Sequence, residues 1–136
     1  MHKKFHHQVK VYYEDTDAGG VVYYANYLKF LERARTEALL SIGLSNTKIK
    51  KELGTLIIVK SCNIEYKKPA HLEDELNIQT HIISLKKTSL IMKQLIMLEK
   101  KLITEAEIHL VFVNSEGKPE KIPDKIIKNF IPYLNK

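Results

Sequence analysis

Apolar side chains recur at three- and four-residue steps in one stretch of the chain: Tyr27, Phe30, Leu31, Ala34, Ala38 and Leu39. Lys29, Glu32, Arg33 and Glu37 fall off the centre of that stripe. This is the period of a helix that buries one side. It predicts a long helix over 23–42, with Gly43 as a C-terminal stop. Elsewhere the pattern changes. Residues 8–13 read as a strand, and 55–67, 75–86, 88–99 and 102–113 are β-branched or mixed apolar runs. Short polar breaks separate the later runs, at Lys67-Lys68-Pro69-Ala70, Lys86-Lys87 and Glu99-Lys100-Lys101, and a turn at 114–117 follows the last. Ser45 is placed to cap a short helix over 46–53 that ends near Gly54. Pro123 opens a C-terminal helix with Ile126, Ile127 and Phe130 facing in.

The order is strand, long helix, then four strands. Short connections suit antiparallel neighbours, and one long helix on one face of such a sheet makes a two-layer α+β arrangement. The chain has 136 residues, which reads as a single domain over 1–136 with room for a real core. No apolar run approaches the ~20 residues that span a bilayer, so integral membrane association is not expected. The N-terminus lacks the apolar stretch of a signal peptide. Cys62 is the sole cysteine, which excludes an internal disulfide framework. These features together predict a cytoplasmic protein.

The formal charge is +6, and Arg33 and Arg35 are the only arginines among 22 basic residues. A basic balance favours acidic partners such as nucleic acid, anionic lipid, coenzyme A phosphates or an acidic carrier protein. The basic residues are dispersed and no nucleic-acid motif is present, so nucleic acid is not expected.

The chemistry concentrates at residues 12–27, Tyr-Tyr-Glu-Asp-Thr-Asp-Ala-Gly-Gly-Val-Val-Tyr-Tyr-Ala-Asn-Tyr. A strand runs into Glu14, Asp15 and Asp17, two glycines follow, and the long helix begins. A carboxylate thus comes beside backbone N–H groups that have no intrahelical partner, at the electropositive end of the helix. Such a place suits a carbonyl that becomes an oxyanion. Asp17 is the main candidate for general base or nucleophile; the alternative is an Asx turn before Gly19-Gly20. Asp15 reads as a structural turn residue.

Val11-Tyr12-Tyr13-Glu14-Asp15-Thr16-Asp17-Ala18-Gly19-Gly20-Val21-Val22-Tyr23, with Tyr27 and Glu32-Arg33-Ala34-Arg35-Thr36-Glu37, closely resembles the signature of the hotdog-fold acyl-CoA thioesterases of the 4-hydroxybenzoyl-CoA thioesterase family. The likeness is best to the YbgC-like, Tol-Pal-associated subgroup. Weaker similarity continues through Ile64-Glu65-Tyr66, Lys86-Lys87-Thr88-Ser89-Leu90 and Glu105-Ala106-Glu107.

The resemblance implies a hotdog, a five-stranded antiparallel sheet curled around one long helix. It implies that two chains pair their sheets edge to edge, as a homodimer or homotetramer with active sites at the interface. It makes Asp17 the catalytic carboxylate and the Tyr24 main-chain N–H the group that polarises the thioester carbonyl. Many subgroup members carry histidine where this chain has Tyr24, so that histidine's side-chain role does not carry over intact: the tyrosine hydroxyl can donate and accept a hydrogen bond but is a poor base, and the alternative is an aromatic that lines the acyl pocket. Tyr13 matches a tyrosine near the active site. Gly20 and Val21 would approach the substrate. Lys86, Lys87 and Ser89 would hold coenzyme A. The implied activity is hydrolysis of acyl-CoA to free acid and coenzyme A without a cofactor. Medium- to long-chain fatty acyl groups are the first expectation, in a tunnel lined by Val21, Val22, Tyr23 and Phe30.

Other residues carry less. The six histidines form no metal-ligand pattern, so no metal is expected. Cys62 reads as a buried strand residue, and the absence of a Gly-x-Ser-x-Gly elbow disfavours a serine hydrolase. A hotdog dehydratase would pair a histidine with a carboxylate, and the signature holds none. The alternative from another class is a binding module for acyl-CoA or an acyl carrier protein in phospholipid metabolism.

Overall fold

The computed structural model describes residues 2–135. Strands β1 (Phe5–Lys10), β2 (Leu56–Tyr66), β3 (Glu75–Leu85), β4 (Ser89–Leu98) and β5 (Lys101–Val113) form one antiparallel sheet in the order β1-β3-β4-β5-β2. Helices are α1 (Asn26–Ser41), α2 (Asn46–Leu53) and α3 (Asp124–Phe130). The sheet wraps around α1, the hotdog arrangement that the resemblance implies.

The helix stripe packs where its spacing predicts: Tyr27, Phe30, Leu31, Ala34, Ala38 and Leu39 are buried. Opposite them, β4 alternates strictly, with Leu90, Met92, Gln94 and Ile96 facing in. Ile78 of β3 and Ile108 of β5 continue the same layer. Each large aliphatic side chain so buried contributes roughly 1.5–3 kcal/mol. The short helices keep their expected ends. The Ser45 hydroxyl accepts the Lys48 N–H at 3.0 Å, and Gly54 closes α2 at φ 64°, a left-handed value that suits glycine. Pro123 precedes α3, whose Ile126 and Phe130 are buried.

Four expectations are corrected. The first strand is Phe5–Lys10 rather than 8–13, because pairing with β3 starts at Phe5↔Thr80 and the chain turns in a 3₁₀ segment at Tyr13–Asp15. The long helix starts at Asn26 rather than 23, because the Tyr23 N–H is taken by the Asp15 carbonyl at 2.9 Å before helical bonding begins. The four later strands are not all neighbours: β3, β4 and β5 form the meander, while β2 pairs with β5 at the far edge. Cys62 is exposed on β2 rather than buried, because β2 is the edge strand of the sheet.

The crossing from β2 to β3 matters for the site. Ala70 sits at the centre of that loop, fully buried. Its N–H donates to the Tyr27 hydroxyl at 3.1 Å and its carbonyl accepts the Val22 N–H at 2.9 Å. The loop is thereby tied to the start of α1 on one side and to the glycine turn on the other.

Candidate active site

The segment from Tyr12 to Asn26 is built almost wholly by its own hydrogen bonds. Asp15 uses Oδ2 to accept the Tyr12 N–H at 2.9 Å, and its carbonyl accepts from Tyr23 N–H and from Asn26 Nδ2, both at 2.9 Å. Asp15 and Asn26 are buried. Asp15 is therefore a fastener of the turn, as its position in the sequence suggests.

Asp17 is held differently. Its N–H donates to the Val21 carbonyl at 2.9 Å, and its carbonyl accepts the Gly20 N–H at 3.0 Å. Its Oδ1 accepts the Gly19 N–H at 2.8 Å, which is the Asx turn. The turn and a chemical role are compatible, since one carboxylate oxygen is oriented by Gly19 while the side chain stays exposed. Gly20 lies at φ 81°, a conformation that the tight reversal requires. Thr16↔Val22 and Val21↔His71 bridges then lead the chain toward α1. The second bridge brings His71 beside the signature, a proximity that no sequence pattern reveals.

Asn26, Tyr27 and Leu28 donate their N–H groups to the carbonyls of Tyr23, Tyr24 and Ala25. The N–H groups of Tyr24 and Ala25 have no hydrogen-bond acceptor among the described residues. Two unpaired donors thus stand just ahead of the helix, on the electropositive side of its dipole. The Tyr24 side chain is 61% exposed and its ring meets Tyr23 and Tyr66, with centroids 5.0 and 6.1 Å away. A cavity of about 260 Å³ opens here, lined by Val22, Tyr24, Tyr27, Tyr66, Lys67 and Lys68.

The other expected residues are distributed unevenly. Tyr13 is 82% exposed and lines a separate cavity with Lys10, Leu72 and Glu73. Val21 is half-buried at its bridge to His71. Phe30 is no tunnel wall: it is fully buried and meets Tyr27 edge to face at 6.2 Å. Lys86, Lys87 and Ser89 lie in the β3–β4 hairpin, closed by a Lys86 N–H to Ser89 carbonyl bond of 2.8 Å. That hairpin is at the end of β3 remote from the Asp17 turn, and eleven residues of strand span roughly 35 Å. One chain does not bring these lysines to Asp17. The cations beside Tyr24 are instead Lys67 and Lys68, with Lys67 Nζ paired to Glu65 at 2.6 Å.

A second cavity, of about 270 Å³ and sharing no lining residue with the first, has Arg35, Leu39, Ile57 and Val59 among its walls. Burial pushes the Arg35 guanidinium below its ordinary range, against the opposing pull of Glu32 and Cys62. Burial likewise raises the Cys62 thiol, with Arg35 acting in the opposite sense. That Arg35 and Tyr66 each line a cavity depends on where the sheet places β2, which no local pattern reveals.

Residues 11–130 match the thioesterase-like superfamily. The chain is 44% identical over 128 residues to the acyl-CoA thioester hydrolase YbgC of Escherichia coli O6:H1, covering 93% of this chain and 95% of that protein. It is 36% identical to the acyl-CoA thioesterase YbgC of Haemophilus influenzae, covering 90% of each. The crystal structure of a probable thioesterase from Bartonella henselae superimposes with a TM-score of 0.85 at 33% identity, covering 89% of this chain and all of that one. With the strand order, the Asp17 turn and the unpaired donors ahead of α1, these likenesses decide the family: the chain belongs to the thioesterase-like superfamily, and within it to the YbgC group.

Proposed function

We propose that this chain hydrolyses acyl-CoA thioesters, with medium- to long-chain fatty acyl groups as its substrates. The observation that carries the proposal is the junction of Asp17 with the unpaired N–H groups of Tyr24 and Ala25. Asp17 takes a proton from water as that water attacks the thioester carbonyl. The C–O bond forms and the carbonyl oxygen becomes an oxyanion, stabilised by the two N–H donors without reorganisation. Collapse breaks the C–S bond, and the departing thiolate takes the proton from Asp17. The Gly19 N–H, bound to Oδ1, leaves Oδ2 for the water. Gly20 lets the backbone approach the thioester. The likeness to the YbgC proteins supports the substrate class.

The functional unit is at least a homodimer. β2 is an edge strand with Ile58, Val59 and Tyr66 exposed, and such an edge is a template for pairing with a second chain. In that assembly Lys86, Lys87 and Ser89 act on coenzyme A from the second chain, since their own sheet separates them from Asp17. Tyr13 belongs to the wall that the second chain completes. An acidic acyl carrier protein is a further partner in keeping with the +6 charge.

The test is steady-state release of free thiol from an acyl-CoA chain-length panel, by the wild-type protein and by Asp17→Asn. Thiol release that depends on Asp17 is expected. No turnover of any acyl-CoA by the wild-type protein would overturn the reading.

A further inference from the structure

Arg35 is held by a side chain that has only one way to sit. Gln94 on β4 is 0% exposed. Its Nε2 donates to the Leu31 carbonyl and to Thr80 Oγ1, both at 3.0 Å. With both amide hydrogens so committed, Gln94 Oε1 must face α1, and there it accepts from Arg35 Nη1 at 3.0 Å. The guanidinium is thus aimed from below by a locked amide. Gln94 is neutral, however, and uses one of five donors. Among the described residues no carboxylate lies within ion-pair distance of Arg35. Glu32, one turn away, spends Oε2 on the Thr36 hydroxyl at 2.9 Å.

The 270 Å³ cavity has Leu39, Ile57, Leu90, Met92 and Phe112 among its walls, with Arg35, Glu32, Thr36 and Asn46 at its polar side. Glu32 attracts the half-buried guanidinium but forms no ion pair with it among the described residues, which leaves donors for an anion that enters the cavity. Its planar fork matches a carboxylate. From Asn26 at the start of α1 to Arg35 is nine residues along the helix, roughly 14 Å, and Tyr24 stands two residues ahead of that start. An extended chain advances roughly 1.2 Å per bond, so an acyl group of about ten to fourteen carbons reaches from the thioester to Arg35.

We infer that Arg35 is a specificity-determining residue that receives the far end of the acyl chain, and that the preferred substrates are medium-chain acyl-CoAs carrying a terminal carboxylate. The inference rests on the thioesterase reading for its reaction, but not for its binding site. Leu39, Ile57, Leu90 and Met92 pack the distal methylenes, and Arg35, positioned through Gln94 and Thr80, pairs with the terminal carboxylate in two parallel hydrogen bonds. A chain ending in a methyl group leaves the cation unpaired, which a site built for hydrogen bonding penalises.

The experiment compares dodecanedioyl-CoA, as the monothioester, with dodecanoyl-CoA. The wild-type protein should favour the carboxylated substrate by about tenfold or more in kcat/KM. Arg35→Met should abolish or reverse that preference through KM, and Arg35→Lys should retain part of it. Calorimetric binding of free dodecanedioate and dodecanoate to the wild-type protein reads the same preference without turnover. A protein that hydrolyses no acyl-CoA of the panel yet binds dodecanedioate more tightly than dodecanoate refutes the thioesterase reading and keeps this one. Equal or opposite wild-type preference in both assays overturns it, whatever the variants do. So does Arg35→Met lowering kcat/KM equally for both substrates, or shifting the oligomeric state with the preference intact.

Discussion

The Tyr27 hydroxyl accepts the Ala70 N–H at 3.1 Å, so the first turn of α1 is fastened to the loop that crosses from β2 to β3. Ala70 in turn receives the Val22 N–H on its carbonyl. One buried residue therefore couples the helix start to the glycine turn. Tyr27→Phe removes the acceptor and leaves a buried N–H unpaired, which costs about 1–3 kcal/mol. Urea denaturation should record a lower midpoint with an unchanged slope; an unchanged midpoint would mean that the bond contributes nothing. Burial also pushes the Tyr27 phenol above its ordinary value of 10.0. The folded state then keeps this proton to higher pH than the unfolded chain. Its contribution is complete below the unfolded value and is lost as pH rises through the folded one. Tyr27→Phe should weaken that alkaline loss of stability.

Asp17→Asn preserves the shape of the turn, since the amide oxygen can still accept the Gly19 N–H. It removes the base. The expected loss is about 100-fold or more in kcat with the melting temperature little changed. Near-normal thiol release from folded Asp17→Asn protein would remove Asp17 from the mechanism.

Tyr24→Phe distinguishes main chain from side chain. The N–H stays, and only an exposed hydroxyl disappears. A kcat loss below about tenfold, or ~1.4 kcal/mol of barrier, is expected. Tyr24→His should be tolerated and should gain activity near neutral pH, where imidazole accepts a proton. A loss in Tyr24→Phe as large as in Asp17→Asn would require a catalytic hydroxyl.

Ile58 tests the sheet edge. It is exposed on β2 with no neighbour strand on the outer side. Light scattering should find the wild-type protein at least dimeric at micromolar concentration. Ile58→Lys places a charge on the edge and should weaken that assembly, with activity falling in step. A fully active wild-type monomer would refute the composite site.

The fold class was legible in the sequence because two periods do not overlap. The stripe from Tyr27 to Leu39 repeats as only a helix repeats, and the later runs end where lysines, proline and glycine break them. The caps at Ser45 and Gly54 were legible too, because each acts within a few residues of itself. The turn at Asp17 was legible for the same reason: carboxylate, two glycines and helix start lie close together in the chain. What the sequence could not decide was anything that depends on which strand lies beside which. Lys86 and Lys87 read as coenzyme A ligands, and the sheet sets them at the other end of the chain's own β3 from the Asp17 turn. Phe30 read as a tunnel wall until its helix turned it into the core. The sheet order, set by how the whole apolar face closes over α1, sends β2 to the edge and leaves Cys62 exposed. It brings His71 to Val21 and aims Gln94 at Arg35, contacts between residues dozens of positions apart. Local pattern determines which elements form, because backbone geometry is local. Their arrangement determines the cavities, because burial is collective and registers only when the chain has closed.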